Sequence, residues 1–295
     1  MSSVIVNPLT ANVMNAVMCG LMSFGLLMTP QKFMQGGQYQ NPWFNNLPEN
    51  RNNKLYYLGQ FMAFIMLGGC VVPTLLSPDS QFLCYQMALI HFTNIVHSLV
   101  FLLSQAYVAA KPDTLTGKVQ WYFMTVLSLV FFVVTLLASL HSTDNVVDNK
   151  ETYISKTIAN IVMLSFSSVF GILFITIPKL LLSFFWSDEN LDNARSFMGF
   201  KILNMTDLET WWARCIGIAI LCLNIGVGID TNIEQPLYTA GSLVTVSTLT
   251  LFNFHQVVMR PYESISSRHI ILSWIPNILM SSVVVGVLTS ALLYV

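Results

Sequence analysis

Long stretches without charged residues recur along the chain and form the strongest pattern in the sequence. Seven stretches carry no Asp, Glu, Lys or Arg: residues 8–31, 55–78, 80–110, 119–143, 157–178, 235–259 and 269–295. An eighth stretch, 210–229, carries the single charge of Arg214. Because about 20 helical residues cross the hydrocarbon layer of a bilayer, every stretch is long enough to span it. The pattern predicts an all-α polytopic membrane protein with eight transmembrane helices.

Composition and charge narrow the class of protein further. The chain is 54% hydrophobic and 9% charged, whereas soluble domains are about 25% charged. The formal net charge is −1, so the basic excess that is typical of nucleic-acid-binding proteins is absent. Strands of an outer-membrane barrel would be shorter and would alternate apolar with polar residues. We therefore expect membrane lipids, and no nucleic acid, among the partners.

The basic residues gather on one side of the predicted membrane protein. With eight spans, both termini and the loops 77–80, 141–156 and 230–234 share one side, side A. The loops 31–54, 111–118, 179–209 and 260–268 share the other, side B. Of the thirteen Lys and Arg residues, side A holds Lys150 and Lys156, and side B together with Arg214 holds the other eleven. The positive-inside rule predicts that side B faces the cytoplasm, or the matrix or stroma of an organelle, and that both termini are lumenal or external.

The chain also has the pattern of an internal duplication. Prolines and aromatic residues recur at matching positions: Pro30 and Pro178, Tyr56-Tyr57 and Trp211-Trp212, Tyr85 and Tyr238, Trp121 and Trp274. The last two pairs have the same spacing, because 121 − 85 and 274 − 238 are both 36. We expect two tandem four-helix bundles, residues 1–140 and 157–295, joined by a polar linker at 141–156. Since each unit has an even number of helices, a pseudo-two-fold axis along the membrane normal should relate them.

Three histidines lie within the predicted spans and are candidate cofactor ligands. His91, His97 and His255 could each ligate a haem iron or a chlorophyll magnesium through an imidazole nitrogen. His91 and His97 are six residues apart, so on a helix they point about 120° away from each other and cannot share one metal. The alternative is an interhelical hydrogen bond with a neighbouring amide such as Asn94 or Asn253.

Five amides and one cation complete the polar residues that we single out within the spans. The amides are Asn94, Asn160, Asn224, Asn253 and Asn277. They are typical of helix–helix contacts, and a polar path through the bilayer is the alternative. Arg214 is either functional or a cation that snorkels or pairs with an acid at a helix end. In the proposed first repeat its position corresponds to Gly59.

Several kinds of chemistry are excluded or disfavoured by the residues that the spans lack. No span contains an Asp or Glu, which disfavours an ion-coupled carrier, and none contains the Lys that a retinal Schiff base needs. No catalytic motif or metal-binding pattern occurs. The five cysteines form no Cys-x-x-Cys pair; we expect free thiols, with a disulfide between Cys70 and Cys84 as the alternative.

These observations favour a non-catalytic function. The leading hypothesis is an accessory or scaffold subunit of a larger membrane complex, in contact with other membrane protein subunits. We expect an energy-transducing organelle membrane, the thylakoid or the mitochondrial inner membrane, rather than the plasma membrane. One alternative is a channel or an uncoupled transporter with a path between the two repeats. The other is a haem- or pigment-binding membrane protein; bound lipid, chlorophyll and haem remain open as cofactors.

Overall fold

The computed structural model describes residues 6–35, 43–49, 53–140, 152–186, 196–229, 236–259 and 265–293. In these residues eight helices are long and apolar enough to cross a membrane. They are α1 (Pro8–Met28), α2 (Lys54–Leu76), α3 (Gln81–Leu103), α4 (Leu115–Ser139), α5 (Lys156–Thr176), α6 (Asp207–Ile229), α7 (Pro236–Met259) and α8 (Ser267–Ser290). The helical class, the number of spans and the multi-pass membrane character predicted from the sequence are confirmed.

Shorter elements lie between the long helices. Two short helices, Pro30–Met34 and Pro178–Ser183, follow α1 and α5, and a 3₁₀ turn, Gln105–Tyr107, follows α3. The strands β1 (Ser196–Phe197) and β2 (Phe200–Lys201) form an antiparallel hairpin before α6, a small departure from an all-α chain. Its two turn residues, Met198 and Gly199, both have positive φ, as tight hairpin turns require.

Side chains near the helix starts explain where the helices begin. The side chain of Asn7 accepts from the backbone N–H of Thr10, and Pro8 provides the preset φ of a first helical residue. At α6, Thr206 and Glu209 cap each other reciprocally: each side chain accepts from the other residue's backbone N–H. Glu209 is therefore a capping residue of α6.

Prolines inside the spans α2 and α8 coincide with π-helical turns. The turn Leu67–Val71 precedes Pro73, and the turn Ile270–Trp274 precedes Pro276. Proline has no N–H to donate to the preceding turn, and a local π-helical adjustment gives the freed carbonyl groups other partners. Both helices continue past their prolines, each with a wider turn inserted before the proline.

Helices α2 and α6 form the centre of the bundle. In an 18-residue window of each span, 61% of the residues of α6 and 44% of those of α2 are buried. In the other six spans the buried share is 22–33%. Among α1–α4, α1 packs on α2, α3 and α4, and α3 packs on α4; among α5–α8, α5 packs on α6, α7 and α8, and α7 packs on α8. Contacts between these two groups join α2 with α6, α3 with α6, and α2 with α7.

Candidate functional site

A cavity of about 140 Å³ lies between α2, α5, α6, α7 and α8. It receives side chains from both groups of helices, since α2 forms one wall and α5–α8 form the others. On α2 its lining runs from Tyr57 to Pro73, which at 1.5 Å per residue is about 24 Å. The cavity is therefore elongated and follows most of the ~30 Å thickness of a bilayer's hydrocarbon layer.

The middle of the cavity is mostly apolar. The side chains of Phe61, Ile65, Phe170, Ile220 and Leu249 line it there. Thr245 also lines this part, and its hydroxyl donates to the Gly241 carbonyl of its own helix. Among the described residues that line the whole cavity, none is an Asp, Glu, Lys or Arg. An ionic ligand would be left without a counter-charge in this environment, so the cavity is suited to a neutral, mostly apolar molecule.

A chain of hydrogen bonds lies at the end of the cavity nearer side B. The hydroxyl of Tyr57 on α2 donates to Asn253 Oδ1 on α7 over 2.6 Å. The Nδ2 of Asn253 in turn donates to Asn277 Oδ1 on α8, over a long 3.4 Å. These three residues join three helices, and all three line the cavity.

A second polar cluster lies at the end nearer side A. Asn224 on α6 donates through Nδ2 to the hydroxyls of Ser167 and Ser168 on α5, at 2.9 and 2.8 Å. The hydroxyl of Tyr238 on α7 donates to Asn224 Oδ1 at 2.9 Å. Gln86 on α3 reaches the same region and donates to the carbonyl of Leu223 at 2.9 Å. Most polar atoms in this cluster satisfy one another, which leaves shape and apolar contact as the main determinants of binding.

The cavity brings together three of the five amides that the sequence singled out. Asn224, Asn253 and Asn277 line it. Asn160 lies elsewhere, where its Oδ1 accepts from the hydroxyl of Thr239 at 2.7 Å. The side chain of Asn94, on α3, is exposed and has no hydrogen-bond partner in the part of the chain that the structure describes.

The histidines lie outside the cavity lining. His91 is buried, and its Nε2 pairs with Asn15 Oδ1 on α1 at 2.7 Å. The ring of His97 stacks on Trp211 at 5.4 Å and 13°, and its Nδ1 lies 3.4 Å from Cys215 Sγ. Thus His91 and His97 make the kind of interhelical contact named as the alternative to ligation, although with other partners than Asn94 and Asn253.

His255 is exposed near the end of α7. Within the described residues, no group of three or more His, Cys, Asp or Glu side chains is arranged to hold a metal ion. All five cysteines are free and buried. Cys84 points at Asn12 Oδ1, and Cys70 packs with Cys19 and Met87, so the disulfide between Cys70 and Cys84 that we kept as an alternative is not formed.

Arg214 on α6 contacts the C-terminal end of the neighbouring helix α5. Its Nε donates to the carbonyl of Ile175 at 3.3 Å, and its Nη1 donates to the Tyr107 hydroxyl at 2.9 Å. The helix α5 breaks at Ile177 before Pro178, so carbonyls in its last turn lack backbone donors. A cation placed there also interacts favourably with the helix dipole. Arg214 thus caps the C-terminal end of α5.

The first group of helices contains the matching contact. Gln60 Nε2 on α2 donates to the carbonyl of Leu27 at the end of α1, at 3.5 Å. Gln60 lies next to Gly59, the residue that the sequence placed near the position of Arg214.

We expect the substitution Arg214→Leu to destabilise the protein by about 1–3 kcal/mol, because it leaves the Ile175 carbonyl and the Tyr107 hydroxyl without a donor. Arg214→Gln should lose less than half of that, since Gln60 makes the equivalent bond. Thermal unfolding in detergent, followed by size-exclusion chromatography, measures both. Equal losses for the two variants would show that the charge, and not the hydrogen bond, is what matters.

Several cavity residues were not singled out from the sequence, above all Tyr57, Tyr238 and Gln86. Both tyrosines lie near helix ends, where aromatic residues are typical of the membrane interface. Their hydroxyls point into the bundle at buried amides instead.

The chain matches no protein-family model, no curated protein and no solved structure. The cavity and the packing of the helices are therefore the basis for a proposed function.

Proposed function

We propose that the protein is a non-catalytic integral membrane protein that holds one elongated, uncharged, lipid-like molecule in the cavity between its helices. The observation that carries this proposal is the cavity lining: a mostly apolar lining that follows α2 for about 24 Å, with amide and hydroxyl side chains towards each end. Ligand sites are typically concave and apolar, with a few polar groups that fix orientation. Bound lipid was one of the open cofactors, and the cavity favours it over a histidine-ligated haem or chlorophyll.

The channel hypothesis receives less support from the same cavity. The amide side chains of the lining lie towards its two ends, and the lining between them is mostly apolar, with Phe61, Ile65, Phe170, Ile220 and Leu249. Hydrated ions would have to pass this mostly apolar stretch, which opposes conduction. A ligand that is itself apolar meets no such barrier.

The proposal is tested on wild-type protein extracted with its surrounding lipid into polymer nanodiscs. Native mass spectrometry should find one ligand per chain that survives removal of the bulk lipid. A spectrum that shows only variable numbers of ordinary phospholipids, with no stoichiometric species, would contradict the proposal.

We also propose that α1–α4 and α5–α8 are two repeats related by a pseudo-two-fold axis along the membrane normal. In support, α1 and α5 each have 21 residues, and each is followed by one non-helical residue and a short helix that begins with proline. The intervening residues have similar dihedrals: φ −141° and ψ 59° at Thr29, φ −133° and ψ 51° at Ile177. Exchanging the two groups of helices also leaves the pattern of helix pairs described above unchanged.

Reciprocal tryptophan contacts support the same symmetry. The indole N–H of Trp121 on α4 donates to the carbonyl of Trp43, and that of Trp274 on α8 donates to the carbonyl of Phe185. Across the two groups, Trp121 packs on Trp211 with ring centroids 5.4 Å apart, and Trp274 packs on Tyr57 at 5.9 Å. Most of the linker that would join the repeats, residues 141–151, lies outside the described residues.

The contacts of α3 and α7 give a register that differs by one residue from the sequence match. Thr93 on α3 contacts Cys222 of α6, and Thr245 on α7 lies against Gly68 of α2. These contacts pair Thr93 with Thr245. The sequence match of Tyr85 with Tyr238 would instead pair Thr93 with Val246.

A specific surface favours the second candidate function, that of a subunit in a larger membrane complex. Ser282, Gly286 and Ser290 follow one another at four-residue intervals on α8; the first two are exposed and Ser290 is partly exposed. Among the residues that the structure describes, none has an atom within 4 Å of the position that a Cβ atom at Gly286 would occupy. Small residues at this spacing let the backbone of another transmembrane helix approach closely.

We expect Gly286→Leu to release a partner helix from this surface while leaving the fold of the chain intact. The larger side chain blocks close approach, and its Cβ atom meets no atom of the described residues within 4 Å. Chemical cross-linking in native membranes, followed by mass spectrometry, should show partner or self-association reduced at least tenfold. Val283→Leu, on the same exposed helix, is the control that should retain it. Unchanged cross-linking in Gly286→Leu would exclude this surface as the subunit contact.

We propose that side B faces the cytoplasm, or the matrix or stroma, and that both termini are lumenal or external. The excess of Lys and Arg in the side B loops supports this orientation. An energy-transducing organelle membrane stays the proposed location.

A further inference from the structure

The hydrogen-bond chain at the side B end of the cavity has a defined direction. The Tyr57 hydroxyl and Asn253 Oδ1 are 2.6 Å apart, a distance typical of an O–H donor and an oxygen acceptor. Because the oxygen of Asn253 is engaged in this way, its Nδ2 points towards Asn277 and donates to Asn277 Oδ1. Asn253 thus accepts a hydrogen bond through its side-chain oxygen and donates one through its side-chain nitrogen.

The last group in this chain is the amide of Asn277, which lines the cavity. Asn277 uses its oxygen as acceptor for Asn253, so its Nδ2 carries the remaining donor hydrogens of the side chain. This nitrogen makes no hydrogen bond in the described part of the chain, and Asn277 is partly exposed where it lines the cavity. A donor left unpaired in an apolar environment costs free energy, and a ligand acceptor would remove that cost.

We infer that the side B end of the cavity recognises a hydrogen-bond acceptor of the ligand, a carbonyl or ester oxygen, through Asn277 Nδ2. This inference rests on the proposed function and defines the ligand more narrowly. The ligand is a neutral chain-like lipid whose carbonyl-bearing end lies near Asn277, and whose chain extends along the apolar middle towards the cluster at Asn224 and Tyr238. A pure hydrocarbon would fill the same space and leave the amide donor unpaired.

The test compares two probes of equal chain length, 2-heptadecanone and heptadecane, offered together to ligand-depleted wild-type protein in nanodiscs. The retained probes are extracted and quantified against protein-free nanodiscs. We expect the ketone to be retained about tenfold more than the alkane, the ratio that one net hydrogen bond gives. Retention of neither probe would overturn the proposed function. Equal retention of both would leave the proposed function standing and overturn the inference.

Variants identify the donor. In Asn277→Leu the preference for the ketone should disappear while the alkane is retained as before. Asn94→Leu, the same change on an exposed side chain outside the cavity, should keep the preference. If Asn277→Leu does not fold, Tyr57→Phe decides the question: without the hydroxyl that orients Asn253, the preference should fall several-fold. A full preference in a folded Asn277→Leu, or in Tyr57→Phe, would overturn the inference.

Discussion

Replacing Leu249 with tryptophan is expected to expel the cavity ligand and reduce the bound amount at least tenfold. Leu249 lies on α7 and lines the apolar middle of the cavity together with Phe61 and Phe170. An indole ring at this position fills space that the ligand chain needs, and it places apolar atoms where apolar atoms are already favoured. The fold should therefore keep its thermal stability or gain some. Ligand per chain is measured by native mass spectrometry, and stability by thermal unfolding.

The matched control is Leu251→Trp on the same helix. Leu251 is 69% exposed and is not part of the cavity lining, so the same change adds the same atoms on the outer surface. This variant should retain the ligand at the wild-type amount. Equal ligand loss in both variants would indicate a general effect of tryptophan on α7 and would contradict a ligand in the cavity.

The second large effect is expected at the crossing of α2 and α7, where Gly241→Leu should destabilise the protein by about 3 kcal/mol or more. A Cβ atom at Gly241 would overlap the backbone oxygen of Gly68 and lie 3.0 Å from Pro73 Cγ. Backbone atoms cannot rotate away as a flexible side chain can, so the two helices would have to separate. Because α2 and α7 belong to different halves of the protein, their separation would also open the cavity.

Gly286→Leu is the control for this prediction, since it makes the same change at a position where a Cβ atom has no described residue within 4 Å. Replacing a helical glycine is favourable for the helix by itself, by roughly 0.5–1 kcal/mol. We expect the thermal unfolding temperature of this variant to stay at or above that of wild type while Gly241→Leu unfolds far earlier. Similar unfolding temperatures for the two variants would mean that the close crossing of α2 and α7 does not exist.

The stretches without charged residues predicted the eight helices, because hydrocarbon tolerates few ionised side chains. This constraint is local in the sequence. The structure around the prolines is not determined by the local sequence alone. Pro30 and Pro178 follow the ends of α1 and α5, and each begins a short helix. Pro73 and Pro276 follow π-helical turns, and the position of such a turn depends on how neighbouring helices satisfy the freed carbonyl groups.

The site was predictable only in part. Buried amides are costly in lipid, so Asn224, Asn253 and Asn277 were identified by residue type. Their arrangement around one cavity depends on helix rotation, which a single sequence does not determine. The same limit explains why Asn160 was grouped with them and why Tyr57 was not among the candidate site residues. For Arg214, the helix end that it caps comes from a neighbouring helix, so no spacing within α6 could reveal it.

The most direct test of the central claim is a cryo-electron microscopy map of the wild-type chain in nanodiscs of its native lipid. The cavity ligand predicts one elongated density inside the bundle, running from Asn277 along Leu249 towards Tyr238, with a single chain's width through the apolar middle. A map in which α2 and α7 close over the space, or in which only separate water peaks occupy it, would contradict the claim.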